Sequence, residues 1–147
     1  MVSWRIKAPH LLIFFIFLFV SHACDMTDSY DHEIGLVVYG DGTPYIKIPN
    51  RASRGVPVVV EVVTSGGGCD RQGETEIENN SLSVTVTPYD YIYTGSRDCP
   101  AVAYGFQHAA EITFTDLGVA KITVVGKRPP HVGGGIYHFV RQIEVID

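Results

Sequence analysis

Four segments of the chain alternate apolar and polar residues, and no segment carries the spacing of a helix. Alternation with a period of two is typical of β-strands that have one buried and one exposed face. Further strands are expected at 34–39, 45–48, 75–78 and 136–146. The apolar positions of the four clearest strands are Val58, Val60 and Val62; Leu82, Val84 and Val86; Ala110, Ile112 and Phe114; and Ala120, Ile122 and Val124. The sequence therefore predicts an all-β protein.

Turn-forming residues separate these strands, among them Gly40-Asp41-Gly42 and Asn79-Asn80. Seven or eight short strands at this spacing, with no helix between them, favour an antiparallel sandwich. A sheet closed into a barrel is the structural alternative. In the last predicted strand, Arg141 shares a face with Phe139 and Ile143, which predicts a bulge or an edge position near Arg141.

A targeting segment precedes the predicted strands. Residues 11–20 are all apolar, follow the basic Arg5 and Lys7, and end at Ser21-His22-Ala23. A helix of ten residues covers about 15 Å, which is about half the hydrocarbon core of a bilayer, so it is too short to anchor the chain. We interpret residues 1–23 as a signal peptide, 24–33 as an acidic tether and 34–147 as a single β-domain. The protein is therefore expected to be exported.

The chain holds three cysteines, Cys24, Cys69 and Cys99, and an odd number in an exported protein requires an explanation. Cys69 and Cys99 both lie beside turn-rich sequence, so we predict a disulfide between them in an oxidising compartment. The segment 20–24 resembles the lipobox of bacterial lipoproteins, in which Cys24 would carry the lipid and attach the protein to a membrane. Two other outcomes stay open for Cys24: a free thiol at the mature N-terminus, or removal by cleavage further along the chain.

The charge balance disfavours two classes of partner. Without residues 1–23 the chain has nine basic and 16 acidic residues, a formal net charge of −7. Nucleic acid and anionic lipid surfaces would repel such a chain at long range. We therefore expect no nucleic-acid partner.

Two stretches carry a resemblance to a known family. The sequence 48–60, with its Ile48-Pro49 and Val56-Pro57 steps, and the sequence 114–122, with Asp116-Leu117-Gly118, are similar to bacterial immunoglobulin-like domains. In that family these patterns form the connection between the first two strands and the corner between the fifth and sixth. The resemblance implies an immunoglobulin-like β-sandwich over most of 43–146. It does not imply that family's central disulfide, because Cys69 and Cys99 lie in turn-rich sequence.

The clearest candidate binding surface is aromatic. Tyr89, Tyr91 and Tyr93 share one face of an extended segment, and Tyr104 follows. Tyrosines in such a row can stack on sugar rings or form a protein interface, because each combines apolar area with a hydroxyl group. The alternative is that the row is a loop packed on the sandwich, with hydroxyls that bond backbone groups.

Other chemistry-bearing residues point to no catalytic or metal site. The four histidines after the predicted leader, His32, His108, His131 and His138, are scattered, and zinc sites usually show close pairs of ligands. Cys99 with His108 has the residue types of a nucleophilic pair, but a disulfide removes the nucleophile. Glutamates at 74, 76 and 78 alternate along one strand and predict a charged outer face that discourages edge pairing.

These observations favour a non-enzymatic binding or structural module of the bacterial cell envelope, with no cofactor and with a protein or glycan as possible ligand. A secreted enzyme or metal-binding domain, with a site assembled from distant residues, is the alternative.

Overall fold

The structure, a computed structural model, describes residues 28–147. It is all-β, as predicted, and the described residues contain no α-helix, only a short 3-10 turn at Pro130–Val132. The strands are β1 (Tyr30–Ile34), β2 (Leu36–Val37), β3 (Tyr39–Gly40), β4 (Thr43–Pro44), β5 (Ile46–Lys47), β6 (Arg51–Ser53), β7 (Val58–Gly66), β8 (Arg71–Asn80), β9 (Ser83–Tyr93), β10 (Tyr104–Ile112), β11 (Gly118–Lys127) and β12 (Ile136–Ile146).

Ten of the strands belong to one mixed sheet, and β3 pairs separately with β4. In the larger sheet β9 pairs with β8 on one edge, and with β1 and β11 on the other. β12 pairs with β11 and β6, while β7 pairs with β10, β2 and β5. The sheet curls so that β8 approaches β10, where the Gln72 side chain donates a hydrogen bond to the Gln107 carbonyl at 2.8 Å.

The sheet is not purely antiparallel, which corrects the expected pairing. β11 runs parallel to β9 and to β2, and β12 runs parallel to β6. The reason lies in the order of the chain: a single strand, β10, separates β9 from β11, so β11 returns in the same direction as β9. Alternation along a strand reports which face is buried but not which neighbour the strand takes.

The core forms where the predicted apolar faces meet. Val60, Val84, Ala110, Phe114 and Ile122 are all fully excluded from solvent. The other buried apolar residues are Val37, Ala52, Val62, Val86, Ile112, Ala120, Val124, Ile143 and Val145. Every apolar position in the four clearest predicted strands therefore belongs to this core except Val58 and Leu82, which pack against it.

Two local expectations change, and a third holds in one of its two forms. Residues 30–33, assigned to the polar tether, form most of β1, because their backbone groups pair with the exposed edge of β9. The row at 89–93 is not a loop, since β9 continues to Tyr93. Near Arg141 the pairing of β12 with β11 is continuous, so there is no bulge; the edge position is the alternative that holds. The predicted signal peptide and Cys24 lie outside the described residues.

Candidate functional site

The tyrosine row lies on the outward side of β9. Along this strand Val84, Val86 and Asp90 point inward and are buried, so the alternating positions Tyr89, Tyr91 and Tyr93 point outward. The antiparallel neighbour β1 adds two more rings to the same side, because Tyr30 is paired with Tyr93 and His32 with Tyr91. We call this surface the tyrosine face; it consists of Tyr30, His32, Tyr89, Tyr91 and Tyr93.

His32 holds one half of the tyrosine face together. Its ring stacks on Tyr89, with 4.5 Å between the ring centroids, and lies tilted against Tyr91 at 5.3 Å. Its Nε2 atom is 2.7 Å from Oε1 of Glu74, and the Tyr91 hydroxyl donates a hydrogen bond to Oε2 of the same carboxylate at 3.2 Å. The Tyr89 hydroxyl donates to Glu76 Oε2 at 3.3 Å. Two of the glutamates predicted to lie on a plain charged face therefore organise the tyrosine rings.

The charges on this half shift the pKa values of its members. A hydrogen bond from its own backbone amide lowers the pKa of Glu74 below the ordinary value, and His32 and the Tyr91 hydroxyl add to this against the effect of desolvation. The negative charge of Glu74 and the hydrogen bond to it raise the pKa of Tyr91. Desolvation raises the pKa of Tyr89, and Glu76 raises it further. At neutral pH the Glu74 carboxylate is therefore charged and accepts a hydrogen bond from the protonated Tyr91 hydroxyl.

Two arginines cover the other half. The guanidinium of Arg71 lies 4.4 Å from the ring centre of Tyr30, and that of Arg97 lies 4.9 Å from the ring centre of Tyr93. Cations placed in this way over aromatic rings are attracted to them. Asp28 bridges the two arginines, with N to O distances of 3.7 Å to Arg71 and 3.2 Å to Arg97. A cavity of about 480 Å³ opens here, lined by Asp28, Tyr30, Arg71, Gln72 and Tyr91.

The predicted disulfide is present and positions this end of the tyrosine face. Cys69 and Cys99 are bonded, with 5.5 Å between their Cα atoms. The bridged segments both hold Tyr93: its amide donates to Asp70 Oδ1 at 2.9 Å, and its hydroxyl accepts from the Arg97 amide at 3.1 Å. The bridge therefore fixes the loop that carries Arg97 over the tyrosine face.

Tyr104 belongs to a different surface. It begins β10, is 51% exposed, and lines a shallow depression of about 460 Å³ with Val38, Tyr45 and Val63 among its neighbours. The structure brings together three of the four predicted tyrosines and leaves Tyr104 apart from them. Tyr30 and His32 were not expected in the site, because they lie in or beside sequence that predicts a polar tether. Their alternation with Asp31 and Glu33 was the available signal.

A polar cluster inside the sheet is the second group of interest. His108 is 1% exposed, and its Nε2 lies 3.1 Å from both Asp90 Oδ1 and Thr64 Oγ1. Its Nδ1 lies 3.0 Å from Thr75 Oγ1. We call these four residues, Asp90, His108, Thr64 and Thr75, the buried polar cluster. His108 is thus bonded to a carboxyl group and two hydroxyls, while Cys99 is held in the disulfide.

The sequence contained a signal for this cluster. His108 occupies the same alternation as Ala110 and Ile112, and Asp90 continues the series of Val84 and Val86. Both polar residues therefore stand at positions that the pattern marks as buried. A buried polar group requires hydrogen-bond partners, so the two are expected to meet. The cluster joins β9 to β10 and β7 across the interior.

Within residues 28–147 no group of three or more histidine, cysteine, aspartate or glutamate side chains is placed to hold a metal ion. No helix in this part of the chain is long and apolar enough to cross a membrane. No protein family, curated protein or solved structure matches the chain.

Proposed function

We propose that this protein is an exported, non-enzymatic binding module of the bacterial cell envelope, anchored by lipid on Cys24, and that a protein ligand binds its tyrosine face. The observation that carries the proposal is the arrangement of five aromatic rings on one exposed sheet face, each held by a neighbouring side chain. Protein interfaces are enriched in tyrosine and arginine, and a few such residues dominate their binding energy.

The geometry favours a protein over a glycan. A sugar that stacks on an aromatic platform needs a bare ring face, but His32 lies on Tyr89 and arginines lie over Tyr30 and Tyr93. Of the β9 tyrosines Tyr91 is exposed, at 37%, whereas Tyr89 and Tyr93 are half-buried. Side chains already ordered in the free protein lose little entropy on binding, which favours recognition of a partner across a flat surface.

We further propose that the domain is an immunoglobulin-like sandwich, as the sequence resemblance implies. The alternation of buried residues along β7, β9, β10 and β11, all facing one core, supports it. The disulfide supports export, since such bonds form and persist in oxidising compartments.

Site-specific crosslinking tests the binding face. A photoreactive benzoylphenylalanine replaces Tyr91 in one variant and Tyr104 in a matched control, both in cells that export the protein. The substitution at Tyr91 is expected to give a discrete protein adduct, and that at Tyr104 is not. Adducts from both positions, or from neither, would contradict the assignment of the tyrosine face.

Stability measurements separate a binding role from a scaffold role. Tyr91→Ala is expected to lose retention of the partner identified by crosslinking, measured by co-purification, while its melting temperature stays within about 2 °C of the parent, as for surface substitutions in general. A large loss of stability would show that the tyrosine row supports the fold instead.

The intact mass of the native product tests the lipid anchor. A diacylglycerol and an acyl chain on Cys24 are the expected result, and a bare Cys24 or a later N-terminus contradicts the anchor.

A further inference from the structure

The loop between β9 and β10 ends in an exposed apolar segment. Residues 100–104 are all exposed and uncharged, in the order proline, alanine, valine, alanine and tyrosine. Val102 is 47% accessible, and Tyr104 lines a shallow depression together with Tyr45 and Val63. A contiguous exposed apolar patch of this kind marks a contact with a protein or a membrane. We call residues 100–104 the apolar loop.

The apolar loop is held in place from its base. The disulfide between Cys69 and Cys99 directly precedes it. A Cβ atom on Gly68 would lie 2.2 Å from the carbonyl oxygen of Pro100, so the loop packs closely on the backbone before Cys69. The Val102 amide donates a hydrogen bond to the Pro100 carbonyl at 2.8 Å. The apolar side chains are therefore presented outward by an ordered backbone, which lowers the entropy lost on contact.

The chain enters the domain beside the same loop. The Thr94 amide donates to the Ser29 carbonyl at 2.9 Å, and the two hydroxyls are hydrogen-bonded at 3.0 Å. The Asp28 carboxylate lies 3.2 Å from Arg97. The chain is therefore fixed to this loop from Asp28 onward. Cys24 precedes Asp28 by four residues, which span at most about 14 Å when extended. A lipid on Cys24 would hold this end of the domain within about 14 Å of the bilayer surface.

We infer that the apolar loop lies in the headgroup layer of the membrane to which Cys24 is attached. The inference rests on the lipid anchor of the proposed function. Tyrosine is enriched at membrane interfaces, because its ring is apolar while its hydroxyl stays hydrated, and Tyr104 suits this position. Removing Val102 and its apolar neighbours from water is favourable, and no charge of the loop has to be desolvated.

The charge of the protein selects the kind of lipid. Without residues 1–23 the net charge of −7 repels anionic surfaces at long range, and the two charged residues before the loop, Arg97 and Asp98, have opposite signs. Contact through apolar atoms does not need an anionic lipid, so the surface that fits is a zwitterionic phospholipid. Because Tyr104 lies apart from the tyrosine face, this contact leaves Tyr91 accessible to a protein ligand.

Quenching of a single tryptophan tests the inference. The native lipidated protein is inserted into phosphatidylcholine vesicles with bromine on the upper part of the acyl chains. Because Trp4, the one tryptophan, lies in the predicted leader, an introduced tryptophan reports only its own surroundings. Val102→Trp is expected to lose at least about half of its fluorescence relative to unbrominated vesicles, since interfacial groups lie within about 10 Å of the acyl chains.

The matched control is Val119→Trp, at a valine that is 63% exposed. It lies near Lys121, which is paired with Ser83 at the start of β9, whereas the loop follows Tyr93 at its end. These ends are about 34 Å apart along the strand, so the control should lose less than about a tenth of its fluorescence.

A charge in the apolar loop provides a second test. In a Tyr104→Trp background, Val102→Asp should reduce the quenching at least about twofold, because a carboxylate resists transfer out of water. Val102 is an exposed loop residue, so the circular dichroism spectrum should be unchanged. Val119→Asp in the same background should leave the quenching unchanged.

Flotation with the vesicles separates failure of the anchor from failure of the loop contact. A protein that floats while Val102→Trp is unquenched overturns the inference and leaves the anchor standing. Unquenched emission that shifts to shorter wavelength would show a protein on the loop, which also overturns it. Equal quenching of Val119→Trp does so as well, because the contact would then not be specific to the loop. A protein that does not float contradicts the anchor of the proposed function, and the inference falls with it.

Discussion

Removing His108 is expected to destabilise the protein far more than the loss of one imidazole ring suggests. In the folded protein its two ring nitrogens contact Asp90, Thr64 and Thr75 at 3.0 to 3.1 Å. His108→Leu fills a similar volume but leaves these groups without a partner. The largest cost in stability arises at Asp90, because this residue is 1% exposed and its Oδ2 atom already lacks a hydrogen bond.

The size of the expected destabilisation follows from the cost of leaving a buried polar group without a hydrogen-bond partner. An unsatisfied buried polar atom costs about 1–3 kcal/mol, and breaking a buried carboxyl–imidazole pair costs about 3–5 kcal/mol. We expect His108→Leu to lower the free energy of unfolding by about 4 kcal/mol, a large share of a margin of about 5–15 kcal/mol. Asp90→Asn in the same chain removes the stranded carboxyl group. The double variant His108→Leu, Asp90→Asn should therefore recover at least about 1.5 kcal/mol.

Urea denaturation at neutral pH measures both variants. The one tryptophan, Trp4, lies in the predicted leader, so circular dichroism and tyrosine fluorescence report unfolding. The control is Asp90→Asn alone, which keeps the shape of the side chain. If the change in unfolding free energy of the double variant equals the sum of the changes in the two single variants, His108 and Asp90 contribute independently. The buried polar cluster would then not be a coupled unit, and the reasoning would be refuted.

Three further outcomes are expected. Replacing Cys69 and Cys99 together by serine should lower the free energy of unfolding by about 3.7 kcal/mol in the chain-entropy treatment of a loop with a sequence separation of 30, as read from urea midpoints; no change would mean that the bond adds nothing. Gly35→Ala should lower the melting temperature by several degrees, because its Cβ atom would lie 2.5 Å from a side-chain carbon of the buried polar cluster; an unchanged melting temperature would show that the cluster shifts freely. The folded-state pKa of Glu74 is lowered, so its contribution to stability is present above the unfolded value of 4.5 and lost as pH falls below it. Glu74→Gln should therefore reduce the acid-induced loss of stability, and in an ultraviolet titration it should move the raised pKa of Tyr91 back towards 10.0; an unchanged titration would separate the two groups.

The sequence alone predicted the all-β class, most of the long strands and most of the core. Strict alternation marks which side chains are buried, and the hydrophobic effect acts on those side chains wherever the strands pair. The outward row of Tyr89, Tyr91 and Tyr93 followed from the same alternation. The disulfide was also predicted, because two cysteines in turn-rich sequence have few other states in a chain that is expected to be exported.

Only the tertiary structure decided which strands became neighbours. Pairing depends on contacts between distant segments, and a period of two is the same for parallel and antiparallel partners. That choice placed β11 beside β9 and made the sheet mixed. It also brought His32, in sequence that resembled a solvated tether, onto Tyr89, and it joined His108 to Asp90 in the interior. The tyrosine face and the buried polar cluster both depend on such long-range contacts, because each side chain is positioned by a partner far away in the chain.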